Sequence, residues 1–330
     1  MRKEKIFITG GILFGCLCGF FLSSAYPSNN FIVFGDNRDN HDRHQEIVDL
    51  IKSHSSYDLI FNTGDMVHDG DSDSQWDTFM DIEDDILDEG TYYPCLGNHE
   101  DNDDEFFDRL NFLLPHRDRG YYKVTNDNAA YIVLQVDGYK SFSPGSSQYN
   151  KFEEYLLEEQ DKDWIFVFFH IPPWTCTRSY DDTMDDVQDY LVPLFEQYGV
   201  DIVFSGHDHN FQHHLVNGVN YVVTGGGGAP LKDKDYDRDY NLFFEEDYNI
   251  TYCKFHDDLM TLQVRMQDED GDYQYEFWLD KRVPDTPYPQ TPVWNDQGLN
   301  SADNQKVTSN VPLPDRADQI KHRLYRSNGS

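Results

Sequence analysis

Short apolar runs alternate with polar and helical stretches along the first two thirds of the chain. Five of these runs stop at a polar cluster rich in Asp, Asn and His. The runs are residues 31–34, 59–61, 92–96, 164–169 and 202–204. Because neighbouring strands of a layered α/β fold end at one edge of their sheet, the five clusters are predicted to feed a single site.

The spacing of apolar residues predicts helices over 41–54 and 76–87. After residue 210 the pattern changes, and short alternating runs predict strands or hairpins. These later runs are residues 211–216, 220–223, 250–255, 260–266 and 273–279. Repeated proline after residue 281 excludes long regular elements there. The pattern therefore predicts one α/β domain over 26–280 and a Pro-rich C-terminal tail over 281–330.

Residues 1–25 carry a basic start, an apolar stretch over 6–22, and small residues at Ser23 and Ala25. This is typical of a secretory signal that is cut after Ala25. Three other readings stay open: a retained membrane anchor, a lipoprotein box at Cys16, and a core helix. The sequence predicts an exported protein, periplasmic, extracellular or lumenal, with a membrane-anchored form as the alternative. Contact with a membrane is expected only through an uncleaved N-terminal segment.

The net charge of −35 over 330 residues narrows the classes of partner that the chain is expected to bind. A chain this acidic repels the phosphate backbone, so binding to long nucleic acid is disfavoured. Phosphate chemistry would need local positive charge, which metal ions supply most simply. The expected partner is a small phosphorylated substrate, and the oligomeric state stays open.

Cys95, Cys176 and Cys253 form no disulfide framework, although one pair could bridge.

The candidate chemistry lies in the clusters where the five runs end. They are Gly-Asp-Asn-Arg at 35–38, Gly-Asp-Met-Val-His at 64–68, Gly-Asn-His-Glu at 97–100, His170, and Gly-His-Asp-His at 206–209. Asp, Asn and His side chains suit Mn, Fe or Zn ions. A carboxylate that bridges two such ions holds them at the separation that a two-metal hydrolase needs. Glycine before a ligand allows a sharp exit from the strand.

The order and spacing of these clusters resemble the calcineurin-like metallophosphoesterase superfamily, to which the purple acid phosphatases are related. Residues 225–230 look like the glycine-rich segment that often follows. The resemblance implies an α/β fold with a four-layer α/β/β/α sandwich. It also implies hydrolysis of a phosphomonoester or phosphodiester by attack of a metal-bound hydroxide. Two divalent or trivalent ions of Mn, Fe or Zn would form the dinuclear site.

The resemblance assigns a role to most residues of the clusters. The first metal ion would be held by Asp36, Asp65 and His209. The second would be held by Asp65, Asn98, His170 and His207, so that Asp65 bridges the two ions. His99 would act as a general acid or would stabilise charge near the leaving group. Glu100 would orient His99.

Arg38 departs from the family pattern, which has His two residues after the first Asp. A guanidinium stays protonated and cannot bind a metal ion. His68 lies where purple acid phosphatases carry a Tyr ligand, and it is the preferred replacement; His44 and an incomplete ligand sphere are the alternatives. Arg38 itself would either contact the substrate phosphate as part of the catalytic site or pair with a carboxylate.

Arg38 in place of the expected histidine also supports a binding function instead of an enzymatic one. Without a complete first metal site, the chain could be a catalytically silent member of the fold that binds metal ions or phosphorylated ligands. Turnover that is lost in Asp65→Ala would separate the enzyme from the binding protein.

Overall fold

Two mixed β-sheets pack face to face, and helices cover both outer faces. The computed structural model describes residues 29–54, 56–88, 90–100, 103–115, 119–178, 180–256 and 259–282. The predicted signal segment, 1–25, and nearly all of the predicted tail lie outside the described residues. This architecture is the four-layer α/β/β/α arrangement expected from the sequence, so the predicted fold class is confirmed.

The strands are β1 (Phe31–Phe34), β2 (Leu59–Asn62), β3 (Tyr92–Pro94), β4 (Tyr122–Thr125), β5 (Ala129–Val133), β6 (Trp164–Phe168), β7 (Ile202–Ser205), β8 (Phe211–Val216), β9 (Val219–Thr224), β10 (Asn241–Glu245), β11 (Asn249–Phe255), β12 (Thr261–Asp268) and β13 (Tyr273–Asp280). The helices are α1 (His41–Ser53), α2 (Asp73–Glu83), α3 (Asp103–Leu110), α4 (Ser147–Glu158), α5 (Asp182–Asp186) and α6 (Val192–Tyr198). A π-helical turn, Val187–Leu191, joins α5 to α6.

The first sheet has the strand order β13-β12-β11-β1-β2-β3, and the second has the order β10-β8-β9-β7-β6-β5-β4. In the first sheet β1, β2 and β3 run parallel, whereas β11, β12 and β13 are antiparallel additions. In the second sheet β5, β6, β7 and β9 run parallel. The parallel strands of both sheets therefore deliver the loops that follow them to the same region, where the five predicted clusters meet.

The core between the sheets is aromatic. The ring of Phe31 on β1 lies within 6.4 Å of six other rings, centroid to centroid. These belong to Phe61, Tyr131, Phe166, Phe168, Phe204 and Phe255. Helices α1 and α2 pack on the outer face of the first sheet, and α4 and α6 pack on that of the second. Burial on both faces explains why the parallel strands are continuous apolar runs in the sequence.

Most predicted elements have the expected position, and a few are new. The bounds of β1 and β8 are those predicted, whereas α2 begins at Asp73 and ends at Glu83, earlier than the predicted 76–87. Strands β4, β5 and β10 and helices α4, α5 and α6 were not predicted.

Cys95, Cys176 and Cys253 are buried and free, so none of these three bridges another. Within the described residues no helix combines the length and apolarity needed to cross a bilayer.

We expect Phe31→Ala to lower the free energy of unfolding by about 3–5 kcal/mol, because it leaves a cavity between the two sheets. Urea unfolding followed by far-ultraviolet circular dichroism measures the change. Leu157→Ala is the matched control, since this α4 side chain is 55% exposed and should cost no more than about 0.5 kcal/mol. A loss for Phe31→Ala no greater than that of the control would contradict the intersheet position.

Candidate metal centre

Asp65 lies at the centre of the site, in the loop after β2, with 1% of its side chain exposed. Its two carboxylate oxygens face different neighbours. Oδ1 is 3.2 Å from His170 Nε2 and accepts the backbone N–H of His99 at 3.0 Å. Oδ2 accepts from Arg38 Nε at 3.4 Å. Asp65 is therefore shared between two sides of the site.

Two groups of ligand-type side chains meet at Asp65. One group is Asp36, Asp65 and His209; the other is Asp65, His170 and His207. In each group one ligand atom per residue lies within 4.8 Å of the others. Asn98 joins the second group, because its Oδ1 is 3.1 Å from His170 Nε2. The structure thus brings together the six residues that the family resemblance assigns to the two ions. His68, the preferred replacement for the missing histidine, is not among them.

Two histidines bind the backbone through Nδ1, so that Nε2 is the nitrogen that faces the site. His170 Nδ1 lies 2.8 Å from the Thr63 carbonyl oxygen, and His209 Nδ1 lies 2.8 Å from the Pro230 carbonyl oxygen. A carbonyl oxygen only accepts, so each Nδ1 carries the proton and donates it. Such backbone partners fix the ring orientation of metal-binding histidines.

The backbone at three of the ligand residues is left-handed. Asp36, Asp65 and His207 have φ angles of 58°, 57° and 70°. Non-glycine residues adopt this region at a cost, and such strain is concentrated at functional sites. The left-handed turn falls on the ligand residue itself at all three positions.

Two glycines beside the candidate ligands lie where there is no space for a side chain. A Cβ at Gly97 would lie 2.3 Å from both the backbone nitrogen and Oδ1 of Asp65. A Cβ at Gly206 would lie 2.3 Å from Asp36 Oδ2. The sequence predicts that glycine at these positions allows a sharp exit from the strand. The closer reason at these two positions is that the loops approach one another within van der Waals distance.

Glu100 holds the Asp65 loop from behind. Its buried carboxylate accepts the backbone N–H groups of Gly97 at 2.8 Å, Asp65 at 2.9 Å, Met66 at 2.7 Å and Val67 at 3.2 Å. The predicted role was to orient the His99 ring. Because both oxygens of Glu100 are engaged by backbone donors, the residue instead ties the 64–68 loop to the 97–100 loop.

His99 is oriented by a different group. Its Nδ1 donates to the backbone carbonyl of His68 at 2.7 Å, which leaves Nε2 on the cleft side, 3.9 Å from Asp65 Oδ2. One quarter of the His99 side chain is exposed. A ring placed in this way can give a proton to a group bound in the cleft.

His68 and His44 lie apart from both ligand groups. The His68 side chain is 58% exposed, and its Nδ1 is 3.1 Å from Asp39 Oδ1. His44 is buried on α1, where its Nε2 lies 2.8 Å from Glu83 Oε1. Neither imidazole is placed where the family pattern has the missing first-motif histidine. That position is approached by Arg38.

The loop that carries Asp36 and Arg38 is also anchored by polar partners. The Asn37 amide donates to the buried Glu83 carboxylate at 2.5 Å. The glycine-rich segment packs against the same loop, since Gly227 N–H donates to the Gly35 carbonyl at 2.9 Å and Ala229 N–H to that of Asp36 at 2.7 Å. Residues 225–229 are buried, so this segment supports the ligand loop.

Charge is distributed unevenly over the two carboxylates. Burial raises the pKa of Asp36 well above its ordinary value, against the opposing charges of His170 and Arg38. Burial also acts to raise the pKa of Asp65, but the charge and hydrogen bond of His170, together with Arg38, hold it below its ordinary value. Asp65 is thus the ionised carboxylate of the site.

The pKa values of the three histidines of the site also differ from one another. Burial acts against a charge on His170, but Asp65 raises the pKa of His170 to about 9. Burial, with the charges of His170 and Arg178, lowers the pKa of His207 well below its ordinary value. Burial lowers the pKa of His209 to about 4. His207 and His209 are neutral, the form that binds metal ions, whereas His170 must release a proton when an ion binds.

A cleft of about 410 Å³ opens above Asp65. Its lining includes Arg38, Arg178 and Lys232, three cations in a chain of strongly negative net charge. Sequence reasoning singled out Arg38 but missed the other two. The signal available for them was position, because Arg178 follows the His170 loop and Lys232 follows the glycine-rich segment.

The second group fits a metal ion better than the first. Asp65 Oδ1, Asn98 Oδ1 and His170 Nε2 converge, and these oxygen and nitrogen donors suit Mn, Fe or Zn. In the first group, Arg38 Nη2 lies 3.4 Å from His209 Nε2, and Arg38 Nε meets Asp65 Oδ2. The guanidinium thus occupies two of the three donor atoms that an ion would use, so the first group does not fit a metal ion as it stands.

Comparison with known proteins gives one family match. The family model described as calcineurin-like phosphoesterase matches residues 30–211. The match begins just before β1 and extends to the first residue of β8, so it contains all five ligand-bearing loops.

The chain is also similar to two curated plant proteins and to one solved structure. A probable inactive purple acid phosphatase 1 of Arabidopsis thaliana is 25% identical over 80% of this chain and 52% of its own length. A nucleotide pyrophosphatase/phosphodiesterase of Hordeum vulgare is 25% identical over 67% of this chain and 72% of its own length. The structure of purple acid phosphatase PPD1 from yellow lupin (Lupinus luteus) seeds superimposes with a TM-score of 0.65, at 18% identity, over 82% of this chain and 58% of that one. The chain thus spans about half the length of the first relative.

We expect Glu100→Gln to weaken Mn²⁺ binding by about 10- to 100-fold, because an amide N–H₂ would face backbone N–H donors and loosen the Asp65 loop. Titration calorimetry with Mn²⁺ on the chelator-treated chain measures the dissociation constant. Glu105→Gln is the matched control, since Glu105 pairs with Arg109 on α3, away from the site. Equal Mn²⁺ affinity in the two variants would refute the anchoring role of Glu100.

Proposed function

The chain belongs to the calcineurin-like phosphoesterase family, and on that premise we propose that it hydrolyses a phosphoester bond of a small substrate at the Asp65 centre, with metal ions as cofactors. The observation that carries this proposal is the convergence of two ligand-type groups on one buried carboxylate. By the family resemblance alone the centre would hold two ions, with Asp65 in both ligand groups. The number of ions that bind depends directly on Arg38.

The residues suited to hold an ion are Asp65, Asn98, His170 and His207. An ion bound there supplies Lewis acidity, which makes water nucleophilic near neutral pH and neutralises charge on phosphoryl oxygens. Arg38 and Arg178 both line the cleft. Their guanidinium groups bind and orient the phosphoryl group, because a planar fork of N–H donors matches its oxygens.

His99 is proposed as the proton donor to the leaving group. The carbonyl of His68 accepts from its Nδ1–H, so His99 donates to the leaving group from its imidazolium form, in which a second proton sits on Nε2, facing the cleft. General acid catalysis by a positioned histidine typically contributes about 10²- to 10⁴-fold to the rate.

The cleft favours small phosphorylated compounds over polymers. Its volume of about 410 Å³ suits a ligand of metabolite size. The net charge of −35 over the whole chain opposes binding of a long nucleic acid. Both phosphomonoesters and phosphodiesters are retained as substrate classes, since the names of the similar plant proteins include a phosphatase and a phosphodiesterase.

A catalytically silent protein that binds metal ions or phosphorylated ligands is the second candidate. The observation that favours it is the guanidinium of Arg38 against Asp65 and His209. The two candidates differ in whether bound ester is turned over.

We also propose that the chain is exported by its N-terminal segment. Expression of the full chain in a secreting host should yield a mature protein that begins at Tyr26. Intact-mass spectrometry of the exported protein measures the cleavage site. Export with residues 1–25 still attached would favour the membrane-anchored form.

We expect the Mn²⁺-loaded chain to hydrolyse a chromogenic phosphomonoester or phosphodiester. Asp65→Asn should lower kcat/KM by more than about 100-fold, because it removes the charge that the ligand group shares. Asp81→Asn, on the exposed side of α2, is the matched control and should keep the parent rate. Equal rates in the parent and in Asp65→Asn would support the silent binding protein.

A further inference from the structure

The Asp36, Asp65 and His209 group already has a positive charge beside it, supplied by the chain itself. Arg38 follows β1, and 11% of its side chain is exposed. Its Nε lies 3.4 Å from Asp65 Oδ2, and its Nη2 lies 3.4 Å from His209 Nε2. The guanidinium therefore lies against the face of the group that opens to the cleft.

The two atoms that Arg38 approaches are those that would face a metal ion. His209 Nδ1 is engaged by the Pro230 carbonyl, so Nε2 is the nitrogen left for a ligand bond. Asp65 Oδ1 faces His170, so Oδ2 is the oxygen left for the first group. Arg38 contacts both of the remaining donor atoms.

The position of Arg38 is fixed from several directions. Its Nη1 pairs with the carboxylate of Asp39 and lies 3.2 Å from His68 Nδ1. The preceding residue, Asn37, is tied to the buried Glu83 carboxylate at 2.5 Å. A guanidinium cannot be deprotonated in a protein. Its charge persists at any working pH and repels a metal ion at hydrogen-bond distance.

The group of Asp65, Asn98, His170 and His207 is contacted by Arg178 and not by Arg38 at its histidines. Arg178 Nη1 lies 3.1 Å from His207 Nε2, a single contact with this group, and Arg178 Nε is bound to Asp208 at 2.6 Å. The other donors of this group, Asn98 Oδ1, His170 Nε2 and Asp65 Oδ1, contact one another. A guanidinium thus meets one of the four candidate donors on this side of Asp65, whereas Arg38 meets two of the three on the other side.

We propose that the Arg38 guanidinium takes the place of the first metal ion, so that the centre binds a single ion, in the group of Asp65, Asn98, His170 and His207. The proposal rests on the proposed metal-dependent function and specifies its metal content. Arg38 compensates the charge of Asp65 and presents N–H donors to a phosphoryl oxygen. A guanidinium cannot act as a Lewis acid, so that chemistry would have to come from the one ion held by the other group.

The experiment counts bound metal ions without relying on turnover. The full chain is stripped with a chelator, loaded with Mn²⁺ and desalted, and the metal-to-protein ratio is measured by elemental analysis. We expect one Mn²⁺ per wild-type chain, with the electron paramagnetic resonance spectrum of an isolated ion. Arg38→His, which restores an imidazole at this position, should bind two, with the spectrum of an exchange-coupled pair.

Two further variants control for charge and for histidine content. Arg38→Lys keeps a cation in the cleft and should still bind one Mn²⁺. Arg43→His adds an imidazole on the partly exposed face of α1, where Arg43 pairs with Glu46, and should also bind one. One ion in Arg38→His, with its circular dichroism spectrum unchanged, would overturn the proposal.

The wild-type chain tests the proposal even if Arg38→His fails to fold. Two Mn²⁺ per wild-type chain would overturn the role of Arg38 and leave the proposed metal-dependent hydrolysis standing. A wild-type chain that retains no Mn²⁺ would overturn both, so the two failures are distinguishable.

Discussion

A single ionised carboxylate, buried where the loops of two sheets meet, sets the requirements for the rest of the site. Taking the charge of Asp65 out of water costs several kcal/mol unless partners compensate it. His170, the His99 backbone N–H and Arg38 supply that compensation from three different loops. Each of these loops follows a strand of one of the two sheets, so the intersheet packing and the chemistry of the site depend on one another.

The supporting residues behind the site are acidic as well, but they bind the loops that carry the candidate ligands. Glu100 collects four N–H groups, and Glu83 holds the Asn37 side chain. These contacts stabilise left-handed turns at Asp36 and Asp65, which would otherwise relax toward common backbone conformations. The strained ligand residues and the buried carboxylates behind them therefore form one unit.

Much of the site could be predicted because each ligand follows a strand whose apolar run is easy to recognise. The α/β class, the bounds of β1 and β8, and the meeting of Asp36, Asp65, Asn98, His170, His207 and His209 follow from that pattern. Strand β5 was missed because its continuation, 134–137, ends without a metal-type cluster. The role of Glu100 and the contacts of Arg38 with Asp65 and His209 could not be predicted in this way. They depend on how loops distant in sequence meet, and the spacing of residues along the chain does not give that.

The three cations of the cleft sit inside an otherwise negative surface, and this arrangement has a kinetic consequence. At long range the net charge of −35 repels an anionic ligand, whereas within the cleft Arg38, Arg178 and Lys232 attract it. Dissolved salt screens exposed charges beyond about 10 Å at 0.1 M, so it weakens the outer repulsion more than the inner attraction. Moderate ionic strength therefore speeds the capture of anions, the reverse of the usual behaviour of electrostatically steered association.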